Sequence, residues 1–161
     1  MWLLEQCRKE WEKAGRSYNY PAIVKMAEQE GKSPSIVHPD DQRLAKPASM
    51  FNAIADICKE NGQKVPASDG EFIRCIFDSL AMRYKDVLSQ LADMVPFPRE
   101  KLHIIGGGSQ NELLNQYTAN AIGLPVVAGP SEATAIGNCM MQAKAAGWVA
   151  DRWEIRKIVA E

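Results

Sequence analysis

Three successive glycines, Gly106, Gly107 and Gly108, followed by Ser109, Gln110 and Asn111, form the most chemically suggestive stretch of the chain. Three positions without a Cβ let a flat ligand lie against bare backbone, and the hydroxyl and two amides that follow can read the edge of a base. The pattern does not fit a phosphate site. A dinucleotide fingerprint G-x-G-x-x-G needs a glycine where Asn111 stands, and no lysine follows to complete a G-x-x-x-x-G-K-[ST] loop. Adenine, not pyrophosphate, is the expected ligand chemistry; a glycine-rich turn with no ligand is the alternative that these residues leave open.

The other chemically able residues are more scattered. His38 with Asp40 and Asp41, in the stretch VHPDDQRL, has no nucleophile nearby and the composition of a solvated turn. Asp40, Asp41, Asp56, Asp69, Asp78, Asp86, Asp93 and Asp151 fall in loops or on predicted helix faces, without the adjoining glycine turn that phosphoryl transfer needs. Cys7, Cys58, Cys75 and Cys139 are too widely spaced for a metal pair, and with two histidines in the chain metal binding is not expected. Cys58 and Cys75 are expected to face each other across two antiparallel helices, as buried thiols in a reducing compartment.

The elements that must hold the glycine turn are readable around it. His103–Ile105 is a short apolar run ending at Gly106, as for a strand in a parallel sheet that opens at Leu102. Ser109, with Glu112 three residues on, predicts a capped helix through Leu113, Leu114, Tyr117 and Ala121. Gly123 and Pro125 end it, and Val126–Val127 reads as the next, parallel strand. Upstream, Leu3, Leu4, Cys7 and Trp11 predict a helix over Trp2–Lys13 that Gly15 ends, and Pro21 opens a second helix closed by Gly31. Ser33–Lys46 is a loop; Pro47 begins a third helix that Gly62 stops. Ser68-Asp69-Gly70-Glu71 is a capping box for the longest helix, periodic from Phe72 through Ile76, Leu80, Tyr84, Val87 and Leu91 to Val95. Pro96 and Pro98 break it. Ser131–Ala146 reads as a small-residue helix capped by Gly147, and Glu154–Ala160 as the start of another.

GGGSQN, LLNQYTANAIGLPVVAGP and SEATAIGN together resemble the C-terminal domain of FGGY-type sugar kinases, and MWLLEQCRKEW, VHPDDQRL and FIRCIFDSLAMRY extend the match over nearly the whole chain. The resemblance implies an α/β, helix-rich part of an actin-like, ribonuclease-H-like ATPase fold, its small, partly parallel sheet carrying a β-GGG-α-β unit. It also implies ATP as phosphoryl donor and Mg2+ in the intact enzyme, with Gly106, Gly107 and Gly108 lining the purine and Asn111 near its exocyclic edge. Glu5 falls where relatives often have a glutamine near the nucleotide, and Gly129–Asn138 resembles a connecting helix at an interdomain hinge. Some relatives pair cysteines at the positions of Cys58 and Cys75. In this family the phosphate-binding turns, the sugar pocket and the catalytic aspartate lie upstream of the position that Met1 resembles. The chain is thus expected to be a fragment, residues 1–161 being an adenosine-binding portion with no catalytic base and no turnover of its own. ATP or ADP is its expected partner, and the sugar only through the other domain.

Bulk properties agree with a single soluble domain. The 161 residues are enough for one core that buries roughly two-thirds of the unfolded surface. Nineteen basic against twenty acidic residues leave a net charge of −1, so no nucleic-acid or anionic-membrane footprint is expected. Met1-Trp2-Leu3-Leu4 runs at once into Glu5 and Gln6, unlike a secretory signal, and a cytosolic protein is expected. Two readable strands are few for a βαβ unit. Neighbouring strands are therefore expected upstream, with self-association of the chain where its sheet is left open.

Overall fold

The computed structural model describes residues 1–92, 94 and 96–160. Asp93 and Val95 of the sequence reading lie outside the described residues. Five helices build the core. α1 (Trp2–Lys13) buries Leu3, Leu4, Cys7 and Trp11, the stripe its spacing predicts. In α2 (Tyr20–Gln29) only Ile23 and Ala27 are buried, and the Asn19 side chain caps it by accepting from Ala22 N at 2.9 Å. α3 (Met50–Glu60) starts three residues later than Pro47 suggests, because the Ser49 hydroxyl accepts from Asn52 N and fixes the helix start there. α4 (Asp69–Ala92) keeps one arm of the expected capping box, Ser68 Oγ accepting from Glu71 N at 3.0 Å. The reverse arm goes elsewhere: the Glu71 carboxylate accepts from Ala67 N.

Asp69 opens α4 and ties it to the end of α1. Its carboxylate accepts from Trp11 Nε1 (2.8 Å), the Tyr18 hydroxyl (2.9 Å) and Arg16 (2.6 Å). A negative charge in the first turn also suits the helix dipole. Trp11, Tyr18, Phe51 and Phe72 continue the seam as edge-on and tilted rings 4.9–5.4 Å apart. Gly70 is where α2 and α4 approach closely: a Cβ there would lie 2.7 Å from Glu30 Oε1 and 3.3 Å from Met26 O.

After α4, β1 (Leu102–Ile104) and β2 (Val126–Ala128) pair in parallel with Leu102 opposite Val126 and Ile104 opposite Ala128. The helix between them, α5 (Glu112–Ile122), packs on α4 and adds Leu114 to the main core. Gly123, in the left-handed region at φ +69°, ends it as the sequence predicts. α6 (Ala133–Ala145) has no buried residue, and α7 (Arg152–Ala160) follows it. A helix-rich α/β fold with a parallel two-stranded sheet among the described residues is thus what the periodicity predicts. No helix among them is long and apolar enough to cross a membrane.

Candidate functional site

Gly106 makes the bend out of β1. Its φ of +81° is a conformation that only glycine adopts freely, and a single 3-10 turn, Gly107–Gln110, follows. Gly107 and Gly108 are different. Neither has a positive φ, and a Cβ built on either would meet no atom of the described residues within 4 Å. Nothing among the described residues requires glycine at these two positions, and both line a cleft of about 970 Å³. Their missing side chains keep the floor of that cleft flat.

Ser109, expected from its spacing to Glu112 to cap the helix, does not do so. Ser109 is 4% exposed, and its single hydroxyl proton is shared between Gly106 O at 2.8 Å and Gly129 O at 3.0 Å. It therefore clamps the ends of the two strands together, with no proton left for a ligand. Asn111 is the cap, its Oδ1 accepting from Leu114 N at 3.0 Å. With Oδ1 so engaged, Nδ2 is left as a buried donor that no atom of the described residues accepts, on a residue 6% exposed that lines the cleft. An orphan buried donor costs about 1–3 kcal/mol unless something accepts from it. Asn115 Nδ2 braces the turn from below by donating to Ser109 O at 2.8 Å.

The opposite wall comes from α1 and α2. Glu5 lines the cleft, and its carboxylate accepts from the Tyr20 hydroxyl at 2.7 Å and from Arg8 at 3.2 and 3.3 Å. Burial, and then the bond to Glu5, push the Tyr20 pKa up, so that its hydroxyl remains a donor. The Arg8 guanidinium, 5.2 Å from the Tyr20 ring centre, offsets the Glu5 charge. Pro21 and Val24 on α2 and Leu113 on α5 supply the apolar part of the cleft's lining. The arrangement suits noncovalent capture of a flat ligand with an acceptor on its edge.

Of the sequence-predicted site residues, the structure brings Glu5, Gly107, Gly108 and Asn111 to one cleft, with Gly106 and Ser109 as its supports. It adds Tyr20, Pro21 and Val24, which the sequence reading passes over. Their signal is on α2, whose core stripe is only Ile23 and Ala27, leaving Tyr20, Pro21 and Val24 on a face that the core does not use. His38 is a turn residue as its composition suggests, its Nδ1 accepting from Asp40 N. Among the described residues no group of three or more His, Cys, Asp or Glu side chains is placed to hold a metal ion.

Comparison with known proteins gives one family. The C-terminal domain of the FGGY family of carbohydrate kinases matches residues 1–146. Among curated relatives, a rhamnulokinase of Bacteroides thetaiotaomicron is 50% identical over 160 residues, covering 99% of this chain and 32% of that protein. One from Pectobacterium carotovorum is 50% identical over 117 residues, 73% of this chain and 24% of its own length. A third, from Mannheimia succiniciproducens, is 42% identical over 141 residues, 88% of this chain and 29% of its own. The chain spans about a quarter to a third of the relatives that it matches.

Proposed function

The chain belongs to the FGGY family of carbohydrate kinases through its C-terminal domain, and on that basis we propose that it is the adenosine-binding part of a rhamnulokinase. The proposed whole enzyme is a cytoplasmic, actin-like, ribonuclease-H-like ATPase that moves the γ-phosphoryl group of ATP to the 1-hydroxyl of L-rhamnulose. When bound, MgATP supplies that phosphoryl group. This chain would hold the purine over Gly107 and Gly108, flanked by Tyr20, Pro21, Val24 and Leu113, and a small turn of the Asn111 side chain would bring its buried Nδ2 to donate to a ring nitrogen. That refines the expectation for Asn111: a free amide N–H meets an acceptor on the base and not its exocyclic amine, itself a donor. Gly106 and Ser109 act through the turn that they fix, and Glu5 as an acceptor steadied by Arg8 and Tyr20. The catalytic base, the phosphate-binding turns and the sugar pocket belong, on this reading, to the rest of the enzyme, and the chain alone is inactive.

One observation carries the proposal: two glycines that neither backbone conformation nor packing demands line a large cleft beside an orphan buried donor. The test is thermal. ADP held near about ten times its dissociation constant should raise the melting temperature by about 3–5 °C. Gly107→Val, whose Cβ would have no protein atom within 4 Å among the described residues, should melt as the wild type does without ligand and lose the ADP shift. An unchanged shift in the variant would remove the turn from the site, and no shift in either protein would make the turn a structural one.

A further inference from the structure

A second hollow opens where the loop after α2 meets α4 and α5. Its volume is about 500 Å³, within the range of small-ligand sites. Three cationic side chains line it, Lys32, Arg74 and Lys85, against the one carboxylate of Asp78. That carboxylate is already engaged. Asp78 is 7% exposed, and its Oδ2 accepts from Ser33 N at 2.8 Å and from Arg74 Nε at 3.0 Å. Arg74 is held in place as well: Nη1 donates to Glu30 O at 3.0 Å and to the Tyr117 hydroxyl at 2.8 Å, with the guanidinium 4.0 Å from the Tyr117 ring centre. Its Nη2 makes no hydrogen bond among the described residues. Lys32 and Lys85 form no ion pair among them either. Glu28, whose charge bears on Tyr117, lines the glycine-turn cleft instead.

Cations gathered around a concave, partly apolar surface with too few anions favour an anionic guest. We propose that this hollow is a binding site for a small organic phosphate, separate from the nucleotide cleft. Arg74 Nη2 and the Lys32 and Lys85 ammonium groups meet its phosphoryl oxygens, and Ile36 and Met82 take the body of the molecule. Three separate donors match the three terminal oxygens of a phosphate ester better than the two of a carboxylate. Because Lys32 and Lys85 are exposed, replacing them leaves the fold alone.

Fructose 1-phosphate serves as the probe, titrated into the full chain by calorimetry, with succinate as the carboxylate comparison. Fructose 1-phosphate should bind with a dissociation constant on the order of millimolar or better, and Lys32→Ala and Lys85→Ala should each weaken it about fivefold. Gly107→Val should leave this binding unchanged, which separates it from any failure of the nucleotide reading. Absence of binding at tens of millimolar, an order-of-magnitude ceiling, would overturn the proposal, as would lysine variants that bind equally well. Loss of binding in Gly107→Val would put the phosphate in the glycine cleft instead, and succinate binding as tightly would overturn the phosphoryl assignment.

Discussion

Four cysteines of one chemical type occupy two environments. Cys7, Cys58 and Cys75 are buried free thiols, and Cys139 on α6 is exposed. Burial pushes the Cys7 thiol far up and the Cys75 thiol up to about 12, and raises Cys58 as well, so at pH 8 none of the three has an appreciable thiolate population. Cys58 and Cys75 lie near enough for each to bear on the titration of the other, as the facing of α3 and α4 requires. The expected outcome of iodoacetamide treatment at pH 8, followed by intact mass, is one fast alkylation per native chain, lost in Cys139→Ser, and four after denaturation. Rapid uptake of a second or third label by the native chain would mean that the helices open more readily than this packing allows.

Among the elements, sequence was most readable where an apolar stripe and its stop signal agreed, as in α1, and least where two plausible caps competed. Ser109-x-x-Glu112 fits a capping box as well as Asn111 fits a cap. The choice is made by Gly129 O, twenty residues away, which engages the Ser109 hydroxyl; local pattern cannot contain that contact. Periodicity likewise marked the apolar face of α4 without saying what covers it: Ile73, Ile76 and Phe77 are buried, whereas Tyr84, Val87 and Leu91 are exposed. The glycine wall of the site could be read from residue type alone. The α2 wall could not, because Tyr20, Pro21 and Val24 reach the cleft only through tertiary packing. Asn111 joins these levels: it lines the cleft and caps α5 with Oδ1, while its buried Nδ2 has no partner among the described residues. Asn111→Ser keeps a capping oxygen and removes the orphan donor, so it should gain about 1 kcal/mol in urea unfolding without ligand while weakening ADP about fivefold, the worth of one hydrogen bond. Asn111→Ala should lose the same affinity and be about 1 kcal/mol less stable than Asn111→Ser, the worth of the cap. Equal ADP affinity in Asn111→Ser and the wild type would leave the orphan amide without a ligand.

For the molecule as a whole, the division between a covered and an uncovered half decides its behaviour in solution. The main core belongs to α1–α5 and the loop between α2 and α3. Beyond it, β1 and β2 pair only with each other among the described residues, and two short strands alone are marginal in water. Around them Ile105, Met141, Trp148 and Trp153 are all more than half exposed, Trp148 at 81%, and an apolar groove of about 680 Å³ runs between β2, α6 and α7. Unpaired strand edges and exposed aromatic side chains are both relieved by contact with a second copy, while the α1–α5 core keeps each copy folded. Sedimentation velocity at tens of micromolar, an order-of-magnitude choice suited to weak association, should therefore show dimers or larger species. Trp148→Ser/Trp153→Ser should shift the distribution toward monomer without lowering the urea midpoint, since neither residue contributes to the main core. A monomeric wild type with a single cooperative transition would mean that the sheet and α6–α7 need no covering surface, and the inference from their exposure would fall.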